Sequence, residues 1–408
     1  MPHQLPSALA LHEPDVPAQH RQPSSVPVRI FAACLTSIIV AVNYTNYGPL
    51  IPTLIANLRI NSGQTGLFST LLFLGLAVMY IPAGILADRF GQRPVLIGSS
   101  ILLVIGGVLL PLFPNLAWML TCRFIVGLGS GGAFVAGAGV AASLGKHSSL
   151  GQGLYGGSVQ IGSGLGLLLT PFLVPIIGWR GAFLFWGLLG IVTLITWIFV
   201  RDAHEASKTE NISVVAGVRS PAIWTLGLAH MGTFGLGNAV ATWIAVYLAF
   251  QYGLPLALAA TFGSIALLSG MIFRPLGGIL IARHIIGAIP LLRLGTILGC
   301  LGVGLLALPL RSPPLAIIGM TCIAIGATIP YASVFNEAAS LRTVSKGIAQ
   351  GLVSMISTPT VLLGPPLIGF LYEQTHNFTA AFGSIVLFGC VAITASFLAG
   401  PAVKRERT

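Results

Sequence analysis

Twelve stretches of about 20 mostly apolar residues follow one another along this chain, and that is the length an α-helix needs to cross a hydrocarbon layer of ~30 Å. They fall at about 31–55, 64–87, 94–113, 116–143, 150–175 and 180–200, then at about 221–248, 256–282, 287–310, 313–336, 346–371 and 377–400. Charged residues make up only 7% of the sequence and mean hydropathy is +0.92, whereas soluble domains carry roughly 25% charged residues. The chain therefore reads as an all-α membrane protein with twelve transmembrane helices, and the lipid bilayer is its first partner. Its 51 glycines would weaken soluble helices, but small residues let membrane helices approach closely, as the run GLGSGGAFVAGAG (127–139) would allow.

Orientation follows from the basic residues. Of 20 Lys and Arg, fifteen fall on the side that holds both termini, three on the other (Arg59, Arg180, Arg311), and two inside segments (Arg123, Arg274). The asymmetry predicts cytoplasmic termini in a cell membrane. The net charge of +11 is this topological bias and gives no reason to expect nucleic acid as a partner. Residues 1–28, rich in Pro, Gln and Ser, read as a disordered cytoplasmic tail and not a signal peptide. A six-helix bundle is expected at 29–200, a cytoplasmic linker at 201–220, a second bundle at 221–400 and a short tail at 401–408. The five cysteines are scattered singly, without metal-ligand spacing, so no metal and no cofactor is expected.

The two halves repeat. GILADRFGQRPVL begins at Gly84 and GILIARHIIGAIPLL at Gly278, an offset of 194 residues (278 − 84), close to half the chain. Paired bundles of this kind suit carriers that alternate access around a midplane site. The set Gly84, Leu86, Asp88, Arg89, Gly91 and Arg93 resembles the G-x-L-x-D-R-x-G-R-[RK] loop of the major facilitator superfamily, and Arg123 with Gly127 and Gly129 resembles its R-x-x-x-G-x-G. The resemblance spans the chain and implies two pseudo-symmetric six-helix bundles. It also implies a conformational latch at Gly84, Asp88, Arg89, Gly91 and Arg93, one-sided because Ala282 replaces the Asp in the second copy.

Arg274 stands in GMIFRPLGG (270–278), 9 residues before Arg283, which at ~1.5 Å per residue places it about 13 Å into the layer, near its midplane. An intramembrane arginine needs a wet cavity or a partner. None of the nine acidic residues falls at the centre of a segment, Glu337 coming nearest, so the substrate is the expected counter-ion. Alternatively, carbonyls freed by Pro275 hold it and it binds nothing. Arg123 reads as a structural buried charge. His230 lies at the same depth, Tyr80 is the repeat counterpart of Arg274, and Gln160 sits mid-segment. One fixed charge, one titratable group and two neutral hydrogen-bonding groups suit a small monovalent anion.

FRPLGG (273–278) is similar to the F-R-P-x-G-G of nitrate/nitrite porters, and HMGTFG (230–235) to their Y-x-x-T-F-G. In that family two arginines, a tyrosine and an asparagine clamp the anion. Here only Arg274 matches, while Tyr80, His230 and Gln160 stand at the other positions. An Arg-Pro pair is also similar to monocarboxylate and oxalate/formate carriers. The expected function is secondary transport, by symport or antiport, of nitrate, nitrite or a monocarboxylate. A carrier of neutral or drug-like molecules with a structural Arg274, and a non-transporting sensor, stand as alternatives. No enzyme constellation is present, and a monomer is expected.

Overall fold

The computed structural model describes residues 23–144, 148–201, 214–342, 344 and 346–407. Eleven stretches of described helix are long and apolar enough to cross a membrane. One of these, within Ser148–Phe199, is two spans joined at Gly178, whose φ of 70° and ψ of 169° only glycine adopts readily. The twelve spans are α1 (Val26–Leu58), α2 (Ser62–Phe90), α3 (Gln92–Leu109), α4 (Leu116–Ala142), α5 and α6 (Ser148–Phe199 before and after Gly178), α7 (Pro221–Tyr252), α8 (Leu256–Ala282), α9 (Ala288–Ala307), α10 (Pro313–Ala339), α11 (Ile348–Thr375) and α12 (Phe378–Arg407). The outer faces remain apolar, Ile176 and Phe199 being 78% and 77% exposed, as lipid-facing positions require.

The chain ends are more ordered than their polar composition implies. α1 starts at Val26, with proline at its first turn, so 26–28 belong to the helix and not to a tail. Backbone and side chain of Ser24 bond to Arg201 at the end of α6. α12 runs through 401–407 because side chains hold its end. Glu406 accepts from Ser220 and from the Ala222 N–H at the start of α7, and Arg407 pairs with Glu337 at 2.8 Å and with Ser340 at the end of α10. Within the expected linker, Val214–Arg219 is a short helix. Residues 1–22 of the expected tail and 202–213 of the linker lie outside the described residues.

The halves form two six-helix bundles whose likeness extends to side chains. Arg93 donates to the carbonyls of Trp197 and Ile198 at the end of α6, at 2.9 and 2.6 Å. Arg293 donates to Ser396 and Phe397 of α12, at 3.2 and 3.3 Å. Each arginine ties the start of its bundle's third span to the last span: the α6 carbonyls lie in that helix's last turn, and in α12 Pro401 leaves the Phe397 carbonyl without its helical donor. Within the first bundle the glycines of α4 admit α2. A Cβ on Gly127 would collide with the Leu72 carbonyl, and one on Gly131 would sit 2.5 Å from Leu76 O. Close backbone packing of this kind holds membrane helices together where lipid offers no hydrophobic drive.

Across the bundles, α1 meets α7, α2 meets α11 and α5 meets α8. On the side remote from the start of α1 and the end of α12, this contact is backbone to backbone. A Cβ on Gly66 would collide with the Pro365–Pro366 backbone, and one on Gly369 with the Ser62 carbonyl. The Ser62 N–H also donates to Glu373 of α11 at 3.1 Å, and Thr70 to the Leu362 carbonyl at 2.5 Å. The centre of the molecule is therefore closed from that side.

Gly127→Ala is expected to lower thermal stability in detergent by about 1–3 kcal/mol through overpacking against Leu72. Gly98→Ala, where a Cβ meets nothing within 4 Å, should leave it unchanged or raise it by up to about 1 kcal/mol.

Candidate substrate site

The α8 stretch GMIFRPLGG presents Gly270, Arg274 and Gly277 as one buried stripe at helical spacing. The two glycines explain how a guanidinium reaches the molecular centre. Gly270 admits Gln160 of α5, whose Cγ would lie 2.7 Å from a Cβ there, and Gly277 admits the Ile329 carbonyl of α10 so closely that any Cβ would collide. α10 breaks at Pro330 and resumes at Tyr331. The break sets the Tyr331 ring 4.3 Å from the Arg274 guanidinium, a cation–π contact.

Among the described residues Arg274 makes one hydrogen bond, from Nη1 to the Gly156 carbonyl of α5 at 2.5 Å, and this bond crosses from one bundle to the other. Pro275 does not supply its partner. Nε is buried and unpaired, and among the described residues no carboxylate lies within ion-pair distance. Tyr44, Tyr331 and His230 are within electrostatic range of the guanidinium.

His230 ends the first helical stretch of α7, just before a π-turn at Met231–Gly235. Wider turns of this kind concentrate at functional positions. Its Nδ1 lies 2.8 Å from the Thr233 hydroxyl, which itself donates to the His230 carbonyl at 3.0 Å. The Thr233 hydroxyl thus ties the ring to its own backbone through Nδ1, and Nε2 makes no hydrogen bond among the described residues. The imidazole stacks on Phe234 and meets Phe335 edge-on.

Tyr80 is buried against Phe134 and lies within electrostatic range of Tyr44 and Tyr331, the two tyrosines that are also in range of Arg274. Gln160 and Arg274 line one cleft of about 40 Å³ between α5, α7, α8 and α10. Neither Tyr80 nor His230 touches Arg274 by a hydrogen bond. Sequence reasoning missed Tyr44, Tyr331, Asn238 and Thr328. The only signal available for the tyrosines was their scarcity, 8 in the chain; in the structure Tyr80 and Tyr155 each lie within electrostatic range of Tyr44 and Tyr331.

Arg123 is the contrasting case. Buried in α4, it donates to the Phe68 carbonyl at 3.2 Å, Asn46 Oδ1 at 3.3 Å and the Asn43 carbonyl at 2.9 Å, with the Tyr47 ring 5.1 Å away. All three acceptors belong to its own bundle. Of the loop residues, Gly91 takes a φ of 89°, which favours glycine, between α2 and α3, and Arg93 makes the bonds to α6 already described. Arg89 lies over Phe90. Asp88 is exposed and has no hydrogen bond or ion pair among the described residues. A Cβ on Gly84 would meet nothing within 4 Å.

Residues 33–357 match the Major Facilitator Superfamily. The chain belongs to this superfamily. Among its members, the chain is 24% identical over 381 residues to the nitrite extrusion protein of Bacillus subtilis, covering 89% of this chain and 90% of that one. It is 25% identical over 354 residues to the probable nitrate transporter NarT of Staphylococcus epidermidis, covering 85% and 89%. The fold is also that of a bacterial homolog of the human lysosomal transporter Spinster, with a TM-score of 0.76 at 18% identity over 94% of this chain and 99% of that one. This superfamily member is a multi-pass membrane transporter with an anion-transporter likeness.

Removing Arg123 should destabilise the first bundle. Arg123→Met strips three acceptors of their buried donor, and a loss of more than about 2 kcal/mol is expected in detergent unfolding. A variant as stable as wild type would show that the network is dispensable.

Proposed function

We propose that this superfamily member carries a small monovalent anion, nitrate, nitrite or a monocarboxylate, by alternating access, with Arg274 as the substrate's counter-ion. The observation that carries this reading is the buried, unpaired Nε of Arg274. Nη1 is taken by Gly156, which leaves the Nε–Nη2 edge, two parallel donors spaced for a planar oxyanion. Gln160 supplies a neutral amide beside it, and His230 and Tyr80 supply further polar groups near the centre. The names of the two relatives, one for nitrite and one for nitrate, support an oxyanion. A single cation with neutral neighbours suits a single negative charge.

On this reading the substrate neutralises a guanidinium that otherwise sits in a low-dielectric centre, which favours the loaded carrier. The two bundles then rock about the site, with the Gly84–Arg93 loop acting as a latch whose Asp88 engages when that end closes. The excess of Lys and Arg on the side of the termini supports a cell-membrane protein with cytoplasmic termini. The reading requires no cofactor and no catalysis, and a monomer suffices.

The competing reading, a neutral substrate with a structural Arg274, draws on the Gly156 and Tyr331 contacts. Thermal stability of the purified protein against nitrate, nitrite, formate, acetate, lactate, oxalate and cyanate separates the two. A bound anion at 100 times its Kd should add about 2.7 kcal/mol of stability. Arg274→Ala should stay folded and lose that response. Arg274→Lys should bind at least about tenfold more weakly, through loss of one charge-assisted hydrogen bond. A protein indifferent to every anion, with Arg274→Ala merely less stable, would favour the neutral substrate.

A further inference from the structure

The cleft beside Arg274 is graded along its length. Its mid-membrane end is lined by Arg274, Gln160, Asn238 and Thr328, where the Thr328 hydroxyl is committed to the Ala324 carbonyl and the Asn238 amide donates to Phe234 O at 2.8 Å. That leaves the Asn238 carbonyl and the Gln160 amide beside the guanidinium. Toward the side closed by α2 and α11, the lining changes to Ile244, Leu267, Met320 and Ile323. Asn238 and Ile244 are 6 residues apart on α7, and Met320 and Thr328 are 8 apart on α10, so the cleft extends about 9–12 Å at ~1.5 Å per residue. Its volume is about 40 Å³, and a water-sized group needs roughly 10–15 Å³ of such space, so three or four such groups fit.

A polar end with one cation and an apolar end without a charge match a ligand that has a head and a tail. An inorganic oxyanion would fill the first and leave the second empty. Resting on the anion reading above, we infer that the cleft is a tail subsite and that the substrate is a short aliphatic monocarboxylate. Its carboxylate lies against Arg274 and Gln160, and a tail of one or two carbons, which is what the volume leaves beside the carboxylate, lies between Ile244, Leu267 and Ile323. Ala241 lines the same cleft between Asn238 and Ile244, and its small side chain leaves the room that the tail takes.

The test is a chain-length series on the purified full-length protein, with formate, acetate, propionate, butyrate, hexanoate and nitrate as probes, read as apparent Kd from thermal stabilisation. From formate to propionate, affinity should rise about fourfold per added carbon, the transfer of one methylene from water. It should fall again by hexanoate, which outgrows the cleft. Ala241→Leu should bring propionate down to the level of formate while leaving formate unchanged, and the wild-type series reads the same subsite should that variant not fold. Equal affinity for formate and propionate, or nitrate bound more tightly than propionate, with both lost in Arg274→Ala, would overturn the tail subsite and keep the anion reading. Stabilisation by none of the probes would overturn both.

Discussion

A cation buried at mid-membrane depth has to be solvated by something, and the placement of two arginines shows two solutions within one fold. Arg123 is satisfied by its own bundle through three acceptors and an aromatic ring. Its bonds join α4 to α1 and α2, and the glycines of α4 bring α2 into close contact. Arg274 has one acceptor, one ring face and an unpaired Nε. The same physical demand thus builds a rigid bundle at one arginine and leaves an unfilled coordination position at the other.

The hydrogen bond of Arg274 also joins the two bundles. Gly156 belongs to the first bundle and Arg274 to the second, so any rocking of one against the other changes this contact. A ligand shifts such an equilibrium only by binding the two states with different strength. An anion on the free edge of the guanidinium would make that difference, because its charge compensates Arg274 whether or not Gly156 stays in reach. On the closed side the two bundles meet through the backbone packing of α2 on α11, with Glu373 on the Ser62 N–H.

Much of the architecture was legible because hydropathy and charge speak directly to lipid. The spans, the half-chain repeat and the isolation of Arg274 from acidic residues all follow from composition along the chain. The ends of α1 and α12 were not, because polar residues such as Glu406 and Arg407 read as a loose tail until their partners on α7 and α10 are known. Tyr331 was hidden for a related reason. Its place under Arg274 depends on the break at Pro330 and on Gly277 letting α8 sit against the Ile329 carbonyl, a three-way packing that no periodicity encodes. The π-turn after His230 is equally silent in sequence.

The central claim is that Arg274 is the counter-charge of what is carried. Counterflow in proteoliposomes tests it most directly, since exchange of a labelled anion for the same unlabelled anion proceeds whatever ion is coupled to net transport. Wild type loaded with unlabelled propionate or nitrate should transiently accumulate the labelled anion, and Arg274→Ala reconstituted to the same density should accumulate none. Equal counterflow by the two proteins would contradict the account.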